Sequence, residues 1–445
     1  MTRTDIARLR ALDEAHVIHP HRPVTHPGTV IIDRGAGCLI WDVEGREYLD
    51  ATAGLAVTHV GHAHPALVAA ATEQLGRLEY YPSFWEYGNP RAIELAARLA
   101  ALAPTGPGKV FFTSGGSEGI EAALRMARFY HHEGGEPGRT VVLARTSAYH
   151  GVGYGSGSLT GFADYHVGFA PMLPDVRHLT PPWSYRRELF DGADPTDFCV
   201  RELERVIAEV GPGRIAAFVG EPVMGVAGMV TPPADYWPRI VDVLRANGIL
   251  FVADEVICAY GRTGHWFATE RYGVTPDITV TAKGLTSGYV PLGAVLVSTE
   301  VAARLDRGPD GFPIGYTYSG HPTACAVAMA NLDVIERDGL VERSASLGAR
   351  LLDDLSALAD RSAVGEVRGA GLMLGLELVR DTPAGPDIGA NVSRYIRAKH
   401  GVIIRNHDNV LSISPPLVVT DEQADRIVDA VRDALDRLDP DGTVS

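Results

Sequence analysis

One lysine and one aspartate stand at positions where they could do chemistry together. Lys283 follows a short apolar, β-branched run at residues 278–282, and Asp254 follows a similar run at residues 249–253. Runs of this kind are typical of buried strands, so each charged side chain is delivered to the end of a strand. A pyridoxal phosphate (PLP) site needs a lysine for the Schiff base and a carboxylate for the pyridinium nitrogen. The pair therefore indicates a PLP site.

A glycine-rich turn upstream of this pair could hold a phosphate group. Residues 114–118, Ser-Gly-Gly-Ser-Glu, lie between a predicted strand at 109–112 and a predicted helix at 117–131. Glycines let the backbone approach a phosphate, and a helix N-terminus presents free N–H groups with the positive end of its dipole. We therefore assign Gly116 and Ser117 to the cofactor phosphate. A plain strand–helix turn would explain the motif if it stood alone.

Five motifs in a fixed order give the chain a resemblance to a known family. The chain resembles class III aminotransferases, of the branch that includes ω-amine and β-alanine:pyruvate transaminases, from about residue 31 to the C-terminal helix. This resemblance implies fold type I of the PLP-dependent transferases, an α/β fold. In it, a large domain with a mostly parallel seven-stranded sheet is joined by a smaller α+β domain formed by both termini. The motifs are residues 112–118, 221–223, 253–256, 282–284 and 316–322.

The resemblance also implies how the cofactor is held. Tyr149 would stack on the pyridine ring, Val256 would lie behind the ring, and Glu221 would lie near its phenolic edge. Asp254 would keep the ring nitrogen protonated. Lys283 would form the internal aldimine and, once displaced, act as the general acid–base catalyst. A structural tyrosine, a solvated glutamate, a helix-capping aspartate and a surface lysine are the simpler alternatives.

Substrate contacts are expected from three further residues. Arg405 matches the mobile arginine of ω-transaminases, which binds a substrate carboxylate, and a salt bridge at the rim of the site is the alternative. Ala56 stands where a bulky aromatic residue is frequent in amine-specific members, which predicts a larger substrate pocket than usual. Trp85 is assigned to the substrate side as well.

The resemblance also bears on oligomeric state. Thr317 matches the residue that reaches the phosphate from the partner subunit in the family. A homodimer or a tetramer would then build each active site at a subunit interface. The alternative is a buried threonine whose hydroxyl is satisfied locally.

Composition narrows the possible partners. The 445 residues include 40 basic and 55 acidic side chains, a net charge of −15, which argues against nucleic acid or an anionic membrane as the main partner. The four cysteines are scattered, with neither a CxxC pair nor histidines at metal-ligand spacing, so we expect no metal site and free thiols in a reducing cytoplasm. The sequence shows no signal peptide and no apolar run long enough to span a bilayer.

The order of predicted elements suggests three segments. Strands and helices alternate between about residues 110 and 297, which predicts a parallel sheet covered by helices. We expect an N-terminal arm and part of the small domain at 1–60, the large PLP-binding domain at 61–322 and the C-terminal small domain at 323–445. Residues up to about 27 are expected as a surface arm, followed by two strands at 29–32 and 38–43.

The predicted reaction is the transfer of an amino group from an amine or ω-amino acid donor to a keto acid such as pyruvate. A PLP-dependent aminomutase or decarboxylase would share the cofactor site, and the need for a second substrate separates these enzymes from a transaminase. A non-catalytic PLP-binding regulator would need a DNA-binding segment, for which the acidic chain offers no obvious candidate. The sequence alone does not identify the natural amine donor or the natural acceptor.

Overall fold

Strands and helices alternate through the middle of the chain in a computed structural model that describes residues 2–22, 28–308, 311–379, 388–439 and 442–444. The strands are β1 (Ile32–Ala36), β2 (Leu39–Asp42), β3 (Glu47–Asp50), β4 (Lys109–Thr113), β5 (Val141–Arg145), β6 (Val176–Leu179), β7 (Ile215–Gly220), β8 (Leu250–Asp254), β9 (Ile278–Thr281), β10 (Gly293–Val297), β11 (Val364–Ala370), β12 (Met373–Leu378), β13 (Val402–Ile403), β14 (Arg405–His407) and β15 (Val410–Ile413). The helices are α1 (Arg3–His16), α2 (Ala53–Ala56), α3 (Pro65–Arg77), α4 (Pro90–Leu102), α5 (Gly116–Glu133), α6 (Tyr154–Leu159), α7 (Pro195–Val210), α8 (Tyr236–Ala246), α9 (Thr299–Leu305), α10 (Pro322–Arg337), α11 (Leu340–Ser356), α12 (Ile388–His400) and α13 (Asp421–Asp436).

A seven-stranded sheet in the order β4-β10-β9-β8-β7-β5-β6 forms the centre of the large domain. Neighbouring strands from β9 through β6 are parallel, and β10 alone runs against both of its neighbours. The carboxyl ends of β4, β5, β7, β8 and β9 therefore meet at one edge. Ligands of open α/β sheets bind at this edge.

Helices cover both faces of this sheet because its strands are apolar on both sides. Every residue of β5, β7, β8, β9 and β10 is buried. On one face α5 packs the stripe Ile120, Ala123, Leu124 and Ala127, spaced as a helix requires, against the sheet. On the other face α7 and α8 bury Leu203, Ile207 and Trp237, among others. Full burial of one such aliphatic side chain contributes about 1.5–3 kcal/mol.

Two smaller sheets hold the terminal parts of the chain. The first has the order β1-β2-β3-β13, so that a C-terminal strand, β13, pairs in parallel with the N-terminal β3. The second has the order β11-β12-β15-β14 and is antiparallel. Both termini thus contribute to the small α+β part of the fold, as the family resemblance implies.

The structure differs from the sequence-based expectation most at the N-terminus. Residues 3–16 of the expected surface arm form a helix, α1, capped by Thr2 and Asp5, which bond to each other's backbone N–H groups. This helix buries none of its residues, so this part of the expected arm lies at the surface although it is helical. Residues 17–22 of the arm form neither helix nor strand, and residues 23–27 lie outside the described residues. The strand expected at 29–32 begins only at Ile32.

In the described part of the chain, no helix is both long enough and apolar enough to cross a membrane.

Candidate active site

A cavity of about 1220 Å³ opens at the carboxyl edge of the large sheet. Its wall combines residues that follow the parallel strands with residues of the antiparallel small sheet. Tyr149, Asp254 and Lys283 come from the large domain, while Arg405 and Ser412 come from β14 and β15. The polar residues that follow different strands of the large sheet therefore lie in one cavity, and residues of the small domain form another part of its wall.

The N-terminus of α5 forms one end of this cavity. Gly115 is its N-cap residue and provides no side-chain cap, so the first N–H groups of an 18-residue helix are left for another acceptor. A Cβ at Gly116 would lie 2.9 Å from Val256 Cγ1, so a larger residue at this position would clash with the Val256 side chain. Ser117 accepts a hydrogen bond from the Val152 N–H through Oγ (3.3 Å) and lines the cavity.

Asp254 is held rigidly at the end of β8. Its Oδ2 accepts a hydrogen bond from His150 Nδ1 (2.7 Å), and its Oδ1 accepts one from the Val256 N–H (3.1 Å). Both side chains of the His150–Asp254 pair are buried. A buried carboxylate with both oxygens bonded is a fixed negative charge at the cavity wall.

Lys283 follows β9 and projects into the cavity. Burial lowers the pKa of its amine from 10.5 to about 8, although the nearby carboxylates of Asp254 and Glu221 act in the opposite direction. Its backbone has φ 41°, in the left-handed region that a lysine adopts only under strain. The amine is therefore far more often neutral than that of a surface lysine.

Glu221 joins two parts of the cavity wall. Its Oε1 accepts a hydrogen bond from the Tyr149 N–H (3.1 Å), and its Oε2 accepts one from the Gly225 N–H (2.8 Å). Burial raises the pKa of this carboxyl group. The alternative of a solvated glutamate is wrong, since its side chain is buried. The next strand-end glutamate, Glu255, is bonded to the N–H groups of Ala268 and Thr269, away from the cavity.

Arg405 lines the cavity and forms no salt bridge with any residue in the described part of the chain. The alternative interpretation of Arg405, a salt bridge at the rim of the site, is therefore not found among the described residues. Its neighbour two residues on, His407, lies on the same side of β14 and also lines the cavity. The pKa of His407 is lowered by burial, and Arg405 contributes to this shift.

The three remaining predicted residues occupy different places. Ala56 is buried at the cavity wall with φ 57°, in the left-handed region. Trp85 and Thr317 do not line the cavity of their own chain, and both are exposed. The alternative of a buried threonine at position 317 is therefore wrong.

Sequence reasoning missed several residues that line the cavity. His407 could have been found, because it lies two residues beyond Arg405 on a strand. The others reach the cavity by long-range packing and carry no local signal. They include His21, Asp164, Tyr165, Phe169, Met229 and Ser414.

Comparison with known proteins places this geometry in a family. A sequence profile of the family described as Aminotransferase class-III matches residues 21–435. A putrescine–pyruvate aminotransferase of Pseudomonas aeruginosa is 39% identical, over 96% of each chain. A thermostable (S)-enantioselective ω-transaminase from Thermomicrobium roseum is 43% identical with a TM-score of 0.91, covering 96% of this chain and 97% of its own. A PLP-bound amine transaminase from an uncultivated Pseudomonas species is 40% identical with a TM-score of 0.90, covering 94% and 97%.

The chain belongs to the class III aminotransferases, which are PLP-dependent enzymes of fold type I. It is a transaminase, and the predicted family, fold, cofactor and reaction are confirmed. The site fits PLP by its own chemistry: an uncapped helix N-terminus suits the phosphate, the fixed Asp254 carboxylate suits a protonated ring nitrogen, and the Lys283 amine suits an aldehyde.

Proposed function

We propose that this transaminase moves an amino group from a primary amine or an ω-amino acid to a keto acid such as pyruvate, with Lys283 and Asp254 as its catalytic residues. One observation carries this proposal: a lysine amine with a lowered pKa shares a cavity with a carboxylate fixed by His150. The same cavity contains Arg405 of β14, which forms no salt bridge with the described residues.

Cofactor binding is assigned to residues around the cavity. Gly116 and Ser117 would hold the phosphate, Tyr149 and Val256 would contact the ring, and Glu221 would lie toward its phenolic edge. Backbone N–H groups at the start of α5 suit a phosphate because each of them is a donor without an intrahelical acceptor. When bound, PLP supplies an electron sink for the donor carbon and carries the amino group between the two substrates.

Lys283 moves the proton of the reaction. Its Nζ, neutral in about a tenth of molecules at pH 7 and about half at pH 8 because its pKa is about 8, takes the proton from the amine-bearing carbon of the donor. Asp254 places a negative charge where the ring nitrogen must stay protonated. His150 holds that carboxylate in orientation through the 2.7 Å hydrogen bond.

Donor and acceptor share one substrate pocket. Arg405 binds the carboxylate of a keto acid or an ω-amino acid by paired hydrogen bonds, since no carboxylate of the described residues forms a salt bridge with its guanidinium. The wall around it includes the apolar side chains of Val226, Met229 and Phe169. The small Ala56 leaves room for a donor with a bulky apolar body. The related putrescine–pyruvate enzyme supports a primary amine as donor and pyruvate as acceptor.

We further propose a homodimer, or a tetramer of such dimers, in which Thr317 and Trp85 reach the partner's site. Residues 80–87 and 315–319 form one aromatic surface: the Tyr80 hydroxyl donates to the Thr317 carbonyl (2.7 Å), and the rings of Tyr80 and Tyr318 lie 5.9 Å apart. Trp85 is 85% exposed and Tyr318 is 60% exposed. Large exposed aromatic side chains in one patch are typical of protein interfaces.

A mixed-dimer experiment tests this arrangement. Lys283→Ala and Thr317→Ala variants are co-refolded with different affinity tags, and the doubly tagged mixed dimer is isolated. Its Thr317→Ala subunit retains Lys283 and faces a partner with an intact Thr317, so one wild-type site and about half of the wild-type activity are expected. A mixed dimer no more active than the parent variants would place Thr317 in its own chain's site and refute the proposal.

The division of the chain into domains and the location of the protein are two further proposals. We assign residues 1–60 and 323–445 to the small domain and residues 61–322 to the large domain, because β3 pairs with β13 across these segments. All four cysteines are buried and unpaired, which supports a reducing, cytoplasmic location.

A further inference from the structure

Arg145 ends β5 beneath the active-site cavity and is fully buried. Its Nη2 donates a hydrogen bond to the Glu221 carbonyl oxygen (2.6 Å), while its Nε and Nη1 have no hydrogen-bond partner among the described residues. The guanidinium carbon lies 5.0 Å from the centre of the Trp237 ring, and the Trp237 indole N–H donates to the Pro222 carbonyl oxygen (3.0 Å). Arg145 and Trp237 therefore brace the Glu221–Pro222 turn from behind.

That turn carries the carboxylate which joins two parts of the cavity wall. Glu221 binds the N–H of Tyr149 on one side and the N–H of Gly225, at the start of the Gly225–Met229 loop, on the other. Movement of its backbone would therefore displace both the aromatic ring assigned to the cofactor and the loop that lines the substrate pocket.

We propose that Arg145 is a positioning residue of the active site, which fixes the turn that carries the Glu221 carboxylate. Arg145 makes no contact with the cavity and acts only through Glu221. This inference rests on the proposed PLP site.

The charges around Glu221 add a pH dependence that tests this proposal. His150 and Arg145 favour its ionised form, while Asp254 opposes it. Lys283 and Cys258 also interact electrostatically with Glu221. Burial raises the pKa of Glu221, so removal of the Arg145 cation would raise that pKa further. Protonation would then weaken the two hydrogen bonds from Tyr149 and Gly225 at a higher pH than in the wild type.

A second buried arginine, just before the same strand, provides a matched control. Arg139 lies just before β5, at the opposite edge of the sheet, and donates to the carbonyl oxygens of Pro212, Ile215, Asn247 and Gly248. Its removal should destabilise the fold without altering the cavity.

The experiment measures PLP binding to the apo protein by absorbance across a range of pH, with thermal unfolding in parallel. Arg145→Met should weaken PLP binding about tenfold and move its loss at acidic pH to higher pH. Arg145→Lys keeps the positive charge but not the planar guanidinium. It should weaken PLP binding and leave the pH at which binding is lost on the acidic side unchanged. In a Glu221→Gln background, Arg145→Met should cause no shift of the acidic limb, since the carboxylate on which Arg145 acts is absent. Arg139→Met should lower the unfolding temperature and keep PLP affinity within about twofold.

The outcomes separate this inference from the proposed function. If the wild type fails to bind PLP, the proposed function fails. If it binds PLP but Arg145→Met or Arg145→Lys keeps wild-type affinity, or if Arg145→Met shifts the acidic limb equally in the wild-type and Glu221→Gln backgrounds, the role of Arg145 is refuted. Should Arg145→Met not fold, the Arg145→Lys result decides the matter.

Discussion

His150 and Asp254 form a buried pair in which Nδ1 of the imidazole lies 2.7 Å from Oδ2 of the carboxylate. They come from the ends of different strands, β5 and β8, which are separated in the sheet by β7. The bond therefore ties together the carboxyl ends of non-neighbouring strands at the centre of the site.

His150→Ala should reduce kcat/KM for the amine half-reaction, because Asp254 would lose a hydrogen bond that fixes its orientation. A hydrogen bond to a charged group contributes about 1.5–3 kcal/mol, which corresponds to about a 10- to 100-fold loss in rate. His150→Asn retains a side-chain donor and should recover part of the loss. Stopped-flow measurement of the half-reaction checks this, and an unchanged rate in the alanine variant would contradict it.

The rate at which the apo protein captures PLP should depend on the protonation of Lys283. Its pKa is lowered from 10.5 to about 8, so only the protonated amine is abundant well below pH 8 and the neutral amine dominates above it. Capture should accelerate with rising pH and level off above about pH 8. N-acetyl-lysine methylamide, measured with PLP under the same conditions, corrects for titration of PLP itself. A corrected rate that still climbs beyond about pH 10 would show an ordinary lysine.

The lowered pKa of Lys283 also affects how the free energy of unfolding depends on pH. Because the folded-state pKa of Lys283 lies below its unfolded value, the unfolded chain binds more protons between about pH 8 and 10.5, and the apo protein should gain stability from this group as pH rises through that window.

Arg405→Leu should separate carboxylate substrates from simple amines. Loss of a paired, charge-assisted contact should raise the KM for pyruvate about 10- to 100-fold. The half-reaction with 1-phenylethylamine, which has no carboxylate, should change by less than about threefold. Arg405→Lys keeps the charge without the planar guanidinium. Its KM for pyruvate should lie between those of the wild type and Arg405→Leu. Equal losses for both substrates would assign Arg405 a structural role.

Ala56→Trp should narrow the donor range. A large ring at this wall should lower kcat/KM for bulky donors about tenfold more than for small ones, as overpacking of a filled pocket costs about 1–3 kcal/mol. Since Ala56 has φ 57°, the substitution also strains the backbone. Ala56→Gly, which changes strain without adding volume, provides the control. Equal effects of Ala56→Trp on bulky and small donors would refute the role of this position.

The catalytic centre could be predicted because its residues follow fully buried parallel strands. Such strands are nearly continuous apolar runs, so the polar residue at the end of each stands out. β8 and β9, which precede Asp254 and Lys283, have every residue buried. Strands β11 and β14 of the small domain lack this contrast, because most of their residues are not fully buried, and neither strand was predicted.

The rest of the cavity wall could not be predicted because it forms by long-range packing. His21 comes from the N-terminal segment, Asp164 from a short 3₁₀ turn, and Ser414 from the residues after β15. Nothing in the local sequence of these segments points toward the cavity. The helix α1 was missed for a different reason: its capping signal at Thr2 and Asp5 is present, but the histidines and prolines that follow dominate the composition.

Visible absorbance of the PLP-loaded protein during donor titration tests the central claim most directly. β-Alanine, 1-phenylethylamine, a diamine and L-alanine are added in turn, followed by pyruvate, with Lys283→Ala as the control. We expect at least one donor to bleach the absorbance band of the wild type and pyruvate to restore it, while the control shows no turnover. A band that no donor changes, or a Lys283→Ala variant with the wild-type rate, would contradict the assignment of Lys283 as the residue that moves the proton.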